Sequence, residues 1–507
     1  MHFRSAGISI AALALLALPP QAHAAIQFAS SGDGQFDAWR NAFADRAVQS
    51  GRSAEVVERL LQGIVPSQDV IAQDQNQPEF TRPPWEYVSQ GVSATRIAKG
   101  IQLRQQYGET FAAIEAKYGV DGDVIAGIWA VETNFGTYPL RYNAVQSLAT
   151  LAAEGRRRAQ FEGFLLALIE MVERGYVGPE ELKSSWAGAM GQPQFMPDIY
   201  LQYAQDWSGD GRRDIWNDTG DVLASIAHYL AQRGWAKGQP VFSEVTLPPS
   251  FNYSLADEIA RPLDAWRSIG ISPRDGIWPE QIMRLPAELW LPAGKDGPAL
   301  LLFGNFEAIK AYNPSDRYAL TVALLARGFE GRPLLQAPWP IEAGYLNQDE
   351  MIELQTLLAS RGHSPGKIDG TFGTATRRAI RSYQLEKLLA ADGYPTPDLL
   401  TRLRGGASPI LAATEEAGQA GEAASAPRPA PPALKTRPTS SALLDYRGIR
   451  TLQRYLTQLG YRIGKADGSA GPKTRAAVRA LETKLGYKAT GRLDAFILAR
   501  AKKAAAR

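Results

Sequence analysis

The chain has 507 residues, with 55 Lys+Arg against 52 Asp+Glu and a formal net charge of +3. That length points to about three domains, and the near-balanced charge, with no long basic run, lacks the electrostatic footprint of a nucleic-acid binder. Cysteine is absent and the histidines are His2, His23, His228 and His363, so disulfides, thiolate metal sites, a cysteine nucleophile and a Cys-linked lipid are excluded, and chemistry falls mainly to carboxylates.

The N-terminus reads Met1-His2-Phe3-Arg4, an apolar run from Ile8 to Leu18, a Pro19-Pro20 break and Ala22-His23-Ala24. A basic start, a short apolar core and an A-x-A end predict a secretory signal peptide, residues 1–24, cleaved after Ala24. The run is shorter than the ~20 apolar residues a membrane span needs, and no later segment reaches that length. The expectation is an exported, soluble, periplasmic protein with no transmembrane segment and no lipid anchor.

All eleven tryptophans fall between Trp39 and Trp339, which assigns the large core to residues 25–345. Within it, GVDGDVIAGIWAVETNFG predicts a helix with Asp121 and Asp123 as candidate N-caps and Gly136 as a stop. Val124, Ile125, Ile128, Trp129 and Glu132 share a stripe, so Glu132 points to the apolar side. Two readings fit: a buried carboxyl kept protonated by desolvation, suited to general-acid work, or a helix-end ion pair with an arginine such as Arg141.

Downstream, SSWAGAMGQPQFMP sets Ala187, Gly188, Ala189 and Gly191 between Trp186 and Phe195. Small residues beside aromatics, with Ser185 and Gln194 as hydrogen-bonding groups, suit either a sugar cleft or tight helix packing. The segment Asp206 to Asp214 puts oxygen ligands at loop positions one, three, five and nine with Gly211 at six, which matches a helix-loop-helix calcium loop. Position twelve is Asn217, and a metal-free Asp-Gly turn is the other reading. His228, on a helix between Ala227 and Tyr229, reads as a packed histidine. Residues 240–305 read as short strands split by Pro and Gly, a small β-containing insertion.

Two similar units follow at a constant offset of 98. Leu354-Gln355 matches Leu452-Gln453, Asp369-Gly370 matches Asp467-Gly468, and Thr376-Arg377 matches Thr474-Arg475. They occupy 346–404 and 441–507, and the Ala/Pro-rich stretch 405–440 between them, which contains no aromatic residue, predicts a flexible linker. Each unit reads as a small helical module, and His363 sits in a turn of the first, which predicts exposure.

The L-Q-x-x-L, G-x-x-x-G-x-x-D-G and G-x-x-T elements resemble the peptidoglycan-binding module of bacterial cell-wall enzymes, which implies three helices each. The blocks AVETNFG, SSWAGAMGQPQFMP and AYNPSDRYALTVALLA resemble the lytic murein transglycosylases of the membrane-bound B type, over most of 25–345. That resemblance implies an α+β fold, a mainly helical lysozyme-like catalytic domain with the small insertion, followed by the two modules.

It further implies that Glu132 is the catalytic acid, with Tyr87, Ser185, Gln194, Tyr229, Tyr312 and Asn313 lining the substrate site. The implied reaction cleaves the β-1,4 bond from N-acetylmuramic acid to N-acetylglucosamine in peptidoglycan strands and forms a 1,6-anhydromuramyl end. It needs one carboxyl and no cofactor. The family's calcium loop falls on Asp206, Ser208, Asp210, Arg212 and a later closing acid, Asp221, with one extra residue near Thr219-Gly220, which implies a structural Ca2+.

Two other readings remain at this stage. One is a water-using muramidase with Asp198 or Glu154 as second carboxylate; the other is a wall-binding scaffold without catalysis.

Overall fold

The computed structural model describes residues 26–75, 83–405 apart from 257, and 444–505 apart from 445, 462, 464–465, 467–471 and 488–489. The predicted signal peptide lies outside the described residues, as do the linker from residue 406 on and the Asp-Gly element of the second repeat. Among the described residues no helix is long and apolar enough to cross a membrane.

The chain divides into two compact units. One runs to Ile341 and takes in Tyr345–Arg404; the other holds the chain from Gly405 onward.

The core of the first unit is helical. The Gly122–Thr133 helix starts at Asp121, whose carboxylate accepts the Asp123 N–H, the N-cap role short acidic side chains favour. Every residue from Val124 to Ala130 is buried, so this helix is wrapped on all sides rather than along one stripe. It packs against the Asp316–Phe329 helix at very close range: a Cβ on Gly127 would lie 2.9 Å from the Val322 carbonyl oxygen. Glycine there lets the two backbones approach.

The predicted insertion forms an antiparallel sheet. Among the described residues its order is Arg261–Pro262, Pro286–Trp290, Ala299–Leu302, Phe242–Thr246, Ser272–Pro273, with Phe242 and Glu288 both opposite Leu302. Side chains alternate across a strand, and here the alternation joins two cores. Leu300, Leu302 and Trp290 enter the helical core, while Leu289, Leu301 and Val245 enter a second, smaller one with Leu263 and Trp266.

The 345–404 module is packed onto this body. Its helices Gln348–Ser360, Thr374–Glu386 and Pro397–Leu403 close over Leu354, Leu358, Ile380 and Leu403. Trp85, Ala293 and Tyr394 form a further buried cluster across the contact, and the Asp392 carboxylate accepts the Lys295 N–H at 2.9 Å. Arg378 pairs with Glu258 at 2.8 Å.

The second unit repeats the module with helices Tyr446–Gln458, Pro472–Lys484 and Ala495–Ala505. In both copies the repeated Gln and Thr bond each other inside the module, Gln355 to Thr376 at 3.0 Å and Gln453 to Thr474 at 3.1 Å. The register seen in sequence is therefore a structural register.

His363 departs from the expected exposure. It is 8% exposed, bonds the Ser382 hydroxyl at 2.9 Å and meets the Tyr383 ring edge-on. The turn folds back under the Thr374–Glu386 helix, so its apolar ring face is more stable inside than in water.

Candidate active site

Glu132 is the penultimate residue of its helix and is half-buried. The chain then takes three successive left-handed residues, Asn134 (φ 50°), Phe135 (φ 60°) and Gly136 (φ 74°). Left-handed backbone at a bulky residue such as Phe135 costs on the order of 1–3 kcal/mol and persists where surroundings over-determine it. Here they do: the Phe135 N–H bonds the Trp129 carbonyl, its ring meets Trp129 edge-on at 5.4 Å, and Arg96 Nε donates to Asn134 Oδ1. The helix thus ends at Thr133, earlier than the glycine stop suggested.

The close helix contact brings Tyr318 to Glu132, and the Tyr318 hydroxyl donates to Glu132 Oε1 at 2.6 Å. Burial, reinforced by the Glu132 charge, pushes the Tyr318 phenol well above its ordinary range, so it remains a protonated donor throughout the physiological range. Tyr318 was not among the sequence candidates. It lies six residues beyond Tyr312, across the Ser315 N-cap that opens the next helix, and its tertiary contact with Glu132 leaves no local pattern.

The 185–195 loop is clamped from two sides. Thr133 Oγ1 donates to the Gln192 carbonyl at 2.9 Å, and the Tyr312 hydroxyl donates to the Pro193 carbonyl at 2.6 Å. Gln192, also missed in sequence, ties the loop to the helix core by accepting from Trp129 Nε1 and donating to the Trp216 carbonyl.

Gly188 and Gly191 are left-handed, and a Cβ on Gly191 would sit 2.6 Å from the Ile215 carbonyl oxygen. The small residues are thus required by loop packing as well as by any ligand. Within this loop Ser185 Oγ accepts the Ala189 N–H, and Gln194, itself left-handed, folds its amide onto the Gly191 carbonyl.

Tyr229 and Tyr312 meet at 4.9 Å, Phe195 packs against both, and Tyr312 stacks parallel to Tyr318. The Tyr229 hydroxyl donates to the Ala311 carbonyl. Both tyrosine hydroxyls are therefore engaged with backbone; Tyr229 is buried in the core and Tyr312 is half-buried. Tyr87 and Asn313 line one cavity together.

In the Asp206 loop, Asp206 accepts the N–H groups of Gly209, Asp210 and Gly211. The buried Asp221 accepts those of Trp207 and Asp214, each at 2.7 Å. Asp221 thus bonds backbone at both ends of the 207–214 stretch, and Asn217 donates its side-chain amide to Asp214. His228 is a packed histidine, bonded to Gln205 and set against Tyr118 and Tyr203.

A helical body with an inserted sheet, holding a phenol-bonded carboxyl beside a packed aromatic cluster and a small-residue loop, is a lysozyme-like architecture. The chain belongs to the transglycosylase SLT domain family, whose profile matches residues 35–327. A putative peptidoglycan binding domain matches residues 347–403 and 446–500.

The chain is 33% identical over 244 residues to membrane-bound lytic murein transglycosylase B of Escherichia coli K12. That match takes in 46% of this chain and spans 64% of the relative's length. It is also similar to SltB3 from Pseudomonas aeruginosa, in crystal structures with NAG-anhNAM-pentapeptide and with NAG-NAM-pentapeptide. The identity is 44%, the TM-score 0.71, and coverage 73% of this chain and all of that one. Escherichia coli Slt35 in complex with calcium is 27% identical with a TM-score of 0.50, covering 57% of this chain and 92% of that one.

Proposed function

We propose that the protein is an exported lytic transglycosylase that cleaves the bond from N-acetylmuramic acid to N-acetylglucosamine in peptidoglycan and leaves 1,6-anhydromuramyl ends. The Tyr318–Glu132 bond carries this reading. With Oε1 held by Tyr318, the acid form carries its proton on Oε2 and presents it in one orientation, the positioning that general acid catalysis needs.

Glu132 gives that proton to the glycosidic oxygen as the bond to muramyl C1 breaks. The carboxylate then takes the proton of the muramyl 6-hydroxyl while that oxygen closes on C1. The proton returns to Glu132 and no water is consumed. Tyr312 is half-buried and is backed by the buried rings of Tyr229 and Phe195, and Ser185, Gln194 and Asn313 are the polar groups that orient the N-acetyl substituents. The similarity to SltB3, a protein crystallised with an anhydro product, supports the same product here.

Mass analysis of muropeptides released from sacculi tests this. Products one water lighter than hydrolysis products, lost with Glu132→Gln, are expected. Reducing ends would instead support hydrolysis, for which Asp198 is the second carboxylate to consider: its Oδ1 is buried without a hydrogen-bond partner among the described residues, and its charge reaches Tyr229. Glu154 is set aside, since it faces Arg156 at 3.9 Å. Release from neither protein would support the scaffold reading.

The Asp206 loop offers the hard oxygen donors calcium prefers, from Asp206, Ser208, Asp210, the Arg212 carbonyl and Asp221. Their carboxylates already order the loop through backbone N–H groups, so calcium would reinforce a folded loop rather than create one. An unchanged melting temperature with calcium and with chelator would count against this site.

A further inference from the structure

The near-balance of charge over the whole chain conceals an uneven distribution. Residues 25–345 carry 28 Lys+Arg against 38 Asp+Glu, the first module, 346–404, carries 8 against 7, and the second, 441–507, carries 15 against 4. Two of the second module's acids are withdrawn from its surface. Glu482 and Asp494 are fully buried, where Glu482 accepts the N–H groups of Thr490 and Gly491 and Asp494 accepts that of Ile497. The exposed cations are spread over all three helices: Arg450 and Arg454 on the first, Arg479 and Lys484 on the second, Lys502 and Lys503 on the third.

The fold does not require this charge. The first two helices of the modules, Gln348–Ser360 with Thr374–Glu386 and Tyr446–Gln458 with Pro472–Lys484, begin and end at the same 98-residue offset, so positions compare directly. Asp349, Glu350 and Glu353 stand where the second copy has Arg447, Gly448 and Thr451, Ile352 and Thr356 where it has Arg450 and Arg454, and Glu386 where it has Lys484. Arg450 and Arg454 lie one turn apart, opposite the buried Leu452 and Leu456. Like charges at that spacing weaken a helix, so they do not serve the module's own stability. Both copies match the same peptidoglycan-binding family, and the first does so almost without net charge. The surplus is therefore additional to wall recognition.

We infer that the second module is an electrostatic anchor for an anionic phospholipid leaflet, its arginines and lysines taking the headgroup phosphates. Cations repeated over three helices fit an extended anionic surface better than one small ion, and clustered Lys and Arg are attracted to such a leaflet additively. Guanidinium groups also pair with phosphate oxygens in a two-pronged geometry. The attraction fades over a Debye length of about 8 Å at physiological ionic strength, so it acts where the module touches the surface. The same leaflet repels the acid-rich 25–345 domain, which leaves attachment to the second module.

The test sediments the full chain with vesicles of phosphatidylcholine alone and of phosphatidylcholine with roughly one-third phosphatidylglycerol. Expected is partition onto the anionic vesicles only, reversed by high salt and not competed by inorganic phosphate at matched ionic strength. Competition by phosphate would assign the cations to the free ion and overturn the leaflet reading. The double variant Arg450→Gln/Arg454→Gln keeps good helix formers on an exposed face, and its melting curve should match that of the unmodified chain. Each near-surface cation contributes roughly fivefold to partition, so this variant should bind anionic vesicles about 25-fold more weakly while its retention on sacculi stays within about twofold. Equal partition onto both vesicles, or undiminished partition of the folded variant, overturns the inference. So does a loss on sacculi without a loss on vesicles, which would give the charge to wall carboxylates, and so does tighter binding to duplex DNA than to vesicles. Lys502→Gln/Lys503→Gln, near the end of the last helix, repeats the test should the arginine variant melt early.

Discussion

At the scale of single residues, Tyr318 is a positioning group for Glu132. Removing its hydroxyl deletes one charge-assisted hydrogen bond, so Tyr318→Phe should lower kcat about 10-fold with KM nearly unchanged; steady-state kinetics on a soluble glycan would read it, and an unaltered kcat would refute it. Glu288, on the sheet, carries a pH prediction. Burial and the neighbouring Glu307 raise its pKa above the ordinary 4.5. A carboxyl raised in this way supports the fold fully below its unfolded pKa, and the contribution is lost as pH rises through the folded value. Glu288→Gln removes that loss. Its melting temperature should exceed that of the unmodified protein at neutral pH and converge with it below about pH 4; parallel melting curves across that range would contradict the assignment.

At the scale of elements, the crossing of the Gly122–Thr133 and Asp316–Phe329 helices decides whether Tyr318 reaches Glu132. Alanine at Gly127 would gain about 1 kcal/mol of helix propensity, but its Cβ meets backbone rather than a yielding side chain, and overpacking costs about 1–3 kcal/mol. Gly127→Ala should therefore lower the melting temperature and, by moving Tyr318 from Glu132, lower turnover as well; a variant with full activity would show that the crossing tolerates more slack. Inside the first module Gln355 serves four groups, donating to the Thr371 carbonyl and the Thr376 hydroxyl and accepting the N–H of Asp369 and Gly370. Gln355→Ala strands several of them in a buried site at about 1–3 kcal/mol each, and a clear drop in module stability by hydrogen exchange is expected.

At the scale of the molecule, the two repeats have different standing despite their shared sequence. The first is part of the catalytic body, held by Trp85, Ala293 and Tyr394; the second forms a unit of its own. A chain ended after Arg404 should keep the melting transition of the catalytic body, whereas one ended at residue 345 exposes Trp85 and Ala293 and should melt several degrees lower; equal melting of both would disprove the docking. Loss of the second module should instead weaken retention on sacculi while sparing cleavage of soluble glycan, since a tether raises local substrate concentration without touching the chemistry.

Much of this was legible in the sequence because it is locally encoded. The Asp121 cap, the apolar run around Glu132, the alternating strands of the insertion and the 98-residue repeat are short-range patterns, set by side-chain size, polarity and spacing. The tertiary structure alone decided the rest. Tyr318 and Gln192 reach the site across 186 and 63 residues of sequence, His363 turns inward, and the first module docks through Trp85, Ala293 and Tyr394. The docking of the first module in particular depends on which surfaces exclude water against one another, and that is settled only when the whole chain has packed.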